Sequence, residues 1–291
     1  MTVALEMTEG EIRLESGALQ AVITQQGGSI RELVFGDQPI FVPAGGPHQS
    51  VGCFPLLPFG NRLEGNAFSL NGQSFHLEPN MPPEPLYRHG DGWLGWWEIA
   101  EQRADRLVLT FRYQARTASP YAYSARQEIS VGDDTLTVRL SLRSEAEVCL
   151  PFGLGLHPFF IRTPQTQLQT AAQLFWHERD DHLPSHAMKV PKEWNFETLR
   201  ALPDAWANNA LQGWSGHARV IWPERALAAE IMSEDFRILM LYMPTARTDF
   251  FCLEPMTHLP NGHHLPNLGE LKLLSPGQEL SAVMRIKLSR Y

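Results

Sequence analysis

From Leu136 to Arg143 the chain alternates strictly: Leu136, Val138, Leu140 and Leu142 are apolar, while Thr137, Arg139, Ser141 and Arg143 are polar. A period of two gathers the apolar set on one face of an extended strand, whereas a helix would scatter it around its surface. Such a strand is half-buried and requires a second layer against its apolar face. The preceding segment, Tyr121 to Val131, is joined to it by Gly132-Asp133-Asp134, and these turn residues predict a β-hairpin. Strand signals recur from Ala18 to Thr24, Ser29 to Phe35, Leu107 to Tyr113, Ala218 to Trp222, Phe236 to Met243, Phe250 to Glu254 and Leu280 to Leu288. No window carries a long, capped helical repeat, and the strand-helix alternation of parallel folds is missing. The expected fold class is all-β and antiparallel, with few short helices.

All-β chains of 291 residues commonly form one domain, so residues 1–291 are expected to be a single unit. The 22 Gly and 22 Pro imply many turns. Two stretches rich in both, Pro43 to Pro58 and Pro79 to Pro85, predict long loops over one end of a sheet, where binding residues tend to sit. The polar region from His177 to Asn209 predicts an irregular connection.

A formal charge of −8, with no run of Lys or Arg, argues against nucleic acid and against an anionic membrane surface, and favours a neutral small molecule. No stretch approaches the roughly 20 apolar residues needed to span a bilayer, and the first residues are acidic and polar, so a cytoplasmic location is expected. Cys53, Cys149 and Cys252 are odd in number and widely separated, which suits reduced, buried thiols.

Phosphate-cradling loops, dinucleotide fingerprints, the GxSxG elbow and the HExxH helix are all absent. What remains is polar residues in apolar or Gly/Pro-rich settings. Glu254 ends the run Phe250-Phe251-Cys252-Leu253, and alternation puts its carboxylate on the face of Phe250 and Cys252. A carboxylate buried there needs a partner or a task, unless the strand end turns it into solvent before Pro255. His157 stands in Gly153-Leu154-Gly155-Leu156-His157-Pro158, where the proline keeps its backbone extended and the glycines permit close approach of a ligand. With an ordinary pKa of about 6.5 it could donate a proton at neutral pH, or serve as a core histidine bonded to backbone. His89 lies in the turn-rich Arg88-His89-Gly90-Asp91-Gly92-Trp93, where a structural role is the alternative. Arg62, after Asn61, could aim a fork of donors at hydroxyl groups or form a structural ion pair. Trp93, Trp96, Trp97 and Trp214 offer flat faces to a sugar ring, although most tryptophans fill cores. His258, His263 and His264, beside Cys252 and Glu254, form a competing metal cluster, but their spacing matches no compact metal motif.

Three segments, in order, resemble the aldose 1-epimerase (galactose mutarotase) family: Gly60-Asn61-Arg62-Leu63-Glu64-Gly65 with His89-Gly90 and Trp93, Gly155-Leu156-His157-Pro158-Phe159-Phe160, and Cys252-Leu253-Glu254-Pro255-Met256-Thr257. The resemblance implies a large antiparallel β-sandwich of the galactose mutarotase type and interconversion of the α and β anomers of a free aldose. It implies Glu254 as general base on O1, and His157 as general acid on the ring oxygen O5 from the opposite side of C1. Arg62 and His89 would bind sugar, and Asn61, Asn208 and Trp214 complete the candidate binding set. No cofactor or metal is implied, and a monomer or homodimer is expected. Two departures stand out: Asn208-Asn209 occupy a place where the family often has a sugar-binding aspartate, and no asparagine follows Pro158-Phe159-Phe160. The alternatives are a 1-epimerase of a phosphorylated hexose, suggested by Arg88 beside His89, and a non-catalytic carbohydrate-binding protein on the same fold.

Overall fold

The computed structural model describes residues 10–43, 52–115 and 119–291. Its regular structure is strands joined by short 3-10 turns, with no α-helix among the described residues. No helix is therefore long and apolar enough to cross a membrane.

The two largest sheets have eleven and nine strands. The larger runs, in spatial order, through Glu11–Ser16, Leu19–Thr24, Ser29–Phe35, Cys53–Leu56, Gly155–Ile161, Phe250–Met256, Ile238–Met243, Ala207–Gln212, Leu174–Glu178 and Pro184–Lys189, with Gln38–Pro39 attached to Ser29–Phe35. The smaller begins at Arg200–Ala201 and ends at Glu98–Gln102, and Thr135–Ser144 lies inside it between Tyr123–Val131 and Glu279–Arg290. The hairpin has the expected form: Val131 pairs with Leu136, and Leu136, Val138, Leu140 and Leu142 are all buried.

Alternation also explains how one strand serves two environments. In Phe250–Met256, Phe251 and Leu253 join the main core, packed with residues of the smaller sheet such as Val138 and Leu140. Phe250, Cys252 and Met256 point the other way, into a second cluster with Phe54, Phe159 and Met240. The larger sheet is therefore covered on both faces at its centre, which is why this strand reads as a nearly continuous apolar run. Truncating an inward residue such as Leu253 to Ala would cost about 2–5 kcal/mol.

Two expectations need correction. Of the loop read from Pro43 to Pro58, residues 44–51 lie outside the described residues, and Cys53–Leu56 is a fully buried strand of the larger sheet. Its apolar residues pair with Gly155–Ile161, and that pairing outweighs its Pro content. The region from His177 to Asn209 is not simply irregular either: Pro184–Lys189 pairs with Leu174–Glu178, and Ala207–Gln212 is a strand of the same sheet. Cys53 and Cys252 are buried free thiols, whereas Cys149 is half-buried.

Candidate active site

Register places the key side chains. Gly155 pairs with Met256 and Phe159 with Cys252, which sets His157 opposite Glu254 on the neighbouring strand. On either side, Phe54 pairs with His157 and Met240 with Glu254. One row across the sheet thus reads Phe54, His157, Glu254, Met240, and the next reads Phe159, Cys252, Tyr242, Asn208. Of these, Phe54, His157, Glu254, Phe159, Tyr242 and Asn208 line a cleft of about 180 Å³.

At its centre His157 Nε2 lies 3.2 Å from Glu254 Oε1, with both side chains buried. The imidazole stacks against both Phe54 and Phe159, whose ring centroids are 4.6 and 4.5 Å away, and these contacts restrain its plane. Burial pushes the Glu254 carboxyl up to about 8, even though the nearby Arg88 and Arg62 guanidiniums pull it down. Glu254 Oε2 is buried with no hydrogen-bond partner among the described residues. A carboxylate lacking a bond on one oxygen is a strong base held out of water.

The loops between Leu57 and Trp97 form one wall. Asn61 and His89 both have left-handed backbones, with φ of 63° and 62°, and bond each other reciprocally: the His89 N–H donates to Asn61 O at 2.9 Å, and the Asn61 N–H donates to His89 Nδ1 at 3.1 Å. Since Nδ1 accepts, the neutral ring carries its proton on Nε2. Asn80 clamps the same loop, donating from Nδ2 to the carbonyls of Arg88 and Gly90. Arg62 and Arg88 both reach Glu84, at 3.0 and 3.3 Å. Burial alone would push Glu84 up, but the two guanidiniums hold it below the usual carboxylate range.

Asn208, Trp206 and His182 also line the cleft. The structure therefore brings Glu254, His157, Arg62, His89, Asn61 and Asn208 to one cleft, and leaves Trp214 out. Trp214 is buried elsewhere, its Nε1 donating to Thr170 Oγ1 at 2.8 Å and to His217 O, so it fills the core. Trp93 lines the cleft, while Trp97 is buried and Trp96 exposed outside it. Sequence reading passed over Phe54, Trp206, His182 and Tyr242, all lining residues. Phe54 stands in the Pro-rich segment, whose composition predicts a loop and so conceals an apolar strand position paired with His157.

The histidines of the proposed metal cluster are engaged elsewhere. His258 Nε2 accepts the Gly60 N–H at 2.9 Å, and burial pushes its pKa down to about 4. His263 Nε2 meets the Tyr121 hydroxyl at 2.8 Å, and His264 Nε2 the Ala67 carbonyl. Among the described residues the group spaced to hold a metal is His157, Cys252 and Glu254, with ligand atoms within 4.8 Å of one another. In the absence of a cation, burial pushes the Cys252 thiol well above its usual value.

The sequence profile of the family "Aldose 1-epimerase" matches residues 10–287. YphB, an uncharacterized protein of Escherichia coli K12, is 35% identical over 94% of this chain and 97% of its own. A crystal structure from the same organism, provisionally described as an aldose 1-epimerase, superposes with a TM-score of 0.91 at 34% identity, covering 97% of this chain and 99% of that one. A galactose mutarotase-like protein from Clostridium acetobutylicum shares the fold at a TM-score of 0.84 and 15% identity, covering 97% of this chain and 95% of its own. With a profile match across nearly its whole length and relatives above 30% identity, the chain belongs to the aldose 1-epimerase family.

Proposed function

We propose that this protein is a mutarotase that interconverts the α and β anomers of a free aldose by general acid/base ring opening and reclosure. The observation that carries the reading is the contact of His157 Nε2 with Glu254 Oε1 at 3.2 Å on the floor of a sugar-sized cleft. O1 and O5 of a pyranose are both bonded to C1, so the base for one and the acid for the other must reach a single centre, and adjacent antiparallel strands bring Glu254 and His157 together in one cleft.

Glu254 removes the proton from the O1 hydroxyl while His157 protonates O5. The C1–O5 bond breaks, C1 becomes the aldehyde carbon, and rotation about C1–C2 presents its other face. The steps then reverse: O5 attacks C1 and returns its proton to His157, and the new O1 takes back the proton held by Glu254. No electrons leave the substrate. A base pushed up to about 8 is well matched to a weakly acidic hemiacetal hydroxyl near neutral pH. Arg62 and His89 orient the sugar, the Nε2–H of His89 donating to a hydroxyl oxygen. Phe54 and Phe159 hold the imidazole through ring stacking.

Polarimetry of freshly dissolved α-D-glucose and α-D-galactose tests this, with saturation-transfer NMR as a second measure. Equilibration should accelerate in proportion to protein concentration. Sugar binding without acceleration would instead leave a carbohydrate-binding protein. The second reading, a phosphorylated aldose, has its support in the pairing of Arg88 with Arg62, both held by Glu84 at the cleft wall. D-Glucose 6-phosphate in the same assay discriminates it by a higher kcat/KM than D-glucose.

A further inference from the structure

Glu178 lies at the end of Leu174–Glu178, where the register that pairs Trp176 with Ala210 carries it opposite Asn208. Its carboxylate is largely buried and receives three donors, each at 2.6 Å: Asn208 Nδ2 and His182 Nδ1 at Oε1, and Trp206 Nε1 at Oε2. All three donating side chains line the cleft. The rings are linked as well, His182 to Trp206 at 5.7 Å and Trp206 to Tyr242 at 5.6 Å between centroids. One acid thus organises three of the side chains that line the cleft with Arg62 and His89.

An ionised carboxylate only accepts hydrogen bonds, so the Asn208 atom turned toward Glu178 must be its NH₂, and Oδ1 is the end left for a ligand. We propose that Glu178 is a positioning residue that locks Asn208 with its carbonyl toward the sugar, so that Asn208 offers a hydroxyl group an acceptor and no donor. In this role the neutral amide acts as a carboxylate would, with its negative charge moved one strand away. Asn209, on the other face of the strand, plays no such part: its Nδ2 donates to Trp176 O and its Oδ1 accepts the Asn208 N–H. The inference rests on reading the cleft as a sugar site.

The polarity of the pair gives a reversal experiment. In Glu178→Gln an amide NH₂ must face either Trp206 Nε1–H or Asn208 NH₂, and Asn208 relieves the conflict only by turning its own NH₂ into the cleft. In Asn208→Asp two carboxylates meet. The double variant restores complementarity, because the new amide NH₂ donates to the new carboxylate and to His182 Nδ1, whose ring proton moves to Nε2, while the amide oxygen accepts from Trp206 Nε1–H. Mutarotation of D-galactose and D-glucose should show KM raised about 10-fold in each single variant, with kcat within about 2-fold, the size expected for one mismatched hydrogen bond in a protected site. The double variant should return to within about 3-fold of the parent. Unchanged KM in the single variants, a double variant weakened about 100-fold, or a loss in kcat rather than KM would overturn the proposal.

Should the parent protein exchange no anomers, the catalytic reading fails separately. The same four proteins are then titrated with both sugars by tryptophan fluorescence, and the same pattern in Kd supports the proposal. Its absence, or no binding of either sugar, overturns it.

Discussion

Asn61 and His89 hold one another in left-handed conformations through two hydrogen bonds, the N–H of each meeting an acceptor of the other. Asn and His are among the residues that tolerate this region best, and the pairing makes Nε2 the donor nitrogen of the neutral His89 ring. The loop that presents this donor to the cleft is fixed by its backbone before any ligand arrives.

Gly90, next in the chain, is where that loop is most sensitive. Its φ is +72°, it bridges to Leu57, and a Cβ would sit 1.8 Å from the Leu57 carbonyl oxygen. Neither the conformation nor the space admits alanine. Gly90→Ala is expected to lower unfolding stability by about 3 kcal/mol or more and to displace His89. Urea unfolding followed by tryptophan fluorescence measures it; a change under about 1 kcal/mol would mean that the loop yields freely.

For the reacting pair, Glu254→Gln keeps shape and removes the base, and His157→Asn removes the acid. Each is expected to lower kcat by about 10²- to 10⁴-fold while the protein stays folded. The double variant should lose little more than the worse single one, since the two groups act as a unit. Polarimetry with circular dichroism as the folding control decides it; near-normal rates in Glu254→Gln would remove Glu254 from the chemistry.

Periodicity made most of the scaffold legible. The Val131–Leu136 hairpin follows directly from alternating side chains, and Glu254 was marked by a carboxylate on an apolar face. Register across strands remote in sequence was not legible. Nothing local says that His157 pairs opposite Glu254, or that Glu178 sits beside Asn208. Trp214 shows the converse: a tryptophan near the expected sugar site turned inward because Thr170 and the His217 carbonyl satisfy its N–H there. The wall carrying Trp206 and His182 was hidden because a polar, proline-bearing stretch resembles a loop even where its strands are held by neighbours.

Catalysis in the proposed form needs carboxylate and imidazolium at once, so log(kcat/KM) against pH should be bell-shaped, and flat behaviour between about pH 5 and 9 would count against the pair. Burial places Glu254 at about 8, and Arg88 is the first of the two cations that offset it. Arg88→Met removes a cation, which disfavours the carboxylate, so Glu254 should titrate above its parent value. Infrared difference spectra, with Glu254→Gln identifying the carboxyl band, follow that titration directly. A downward shift in Arg88→Met would contradict the electrostatic account.

The same raised value bears on stability. An unfolded chain holds a glutamate near its ordinary value of about 4.3, whereas the folded cleft holds Glu254 at about 8, so folding favours the protonated form. That contribution is complete below about pH 4, declines as pH rises between the two values, and is lost once pH passes through about 8. Glutamine has no proton to lose. Glu254→Gln should therefore match the parent in stability near pH 4 and exceed it by a few kcal/mol, on the order of the shift converted at about 1.4 kcal/mol per unit, above about pH 8. Coupling to His157 will reduce the difference, because an imidazolium 3.2 Å away stabilises the carboxylate wherever both are charged. Denaturant unfolding of both proteins at about pH 5 and about pH 9 measures the gap. A gap that stays constant, or narrows toward the alkaline end, would mean that the Glu254 carboxylate is solvated in the folded protein, and with it the cleft would lose its strong base.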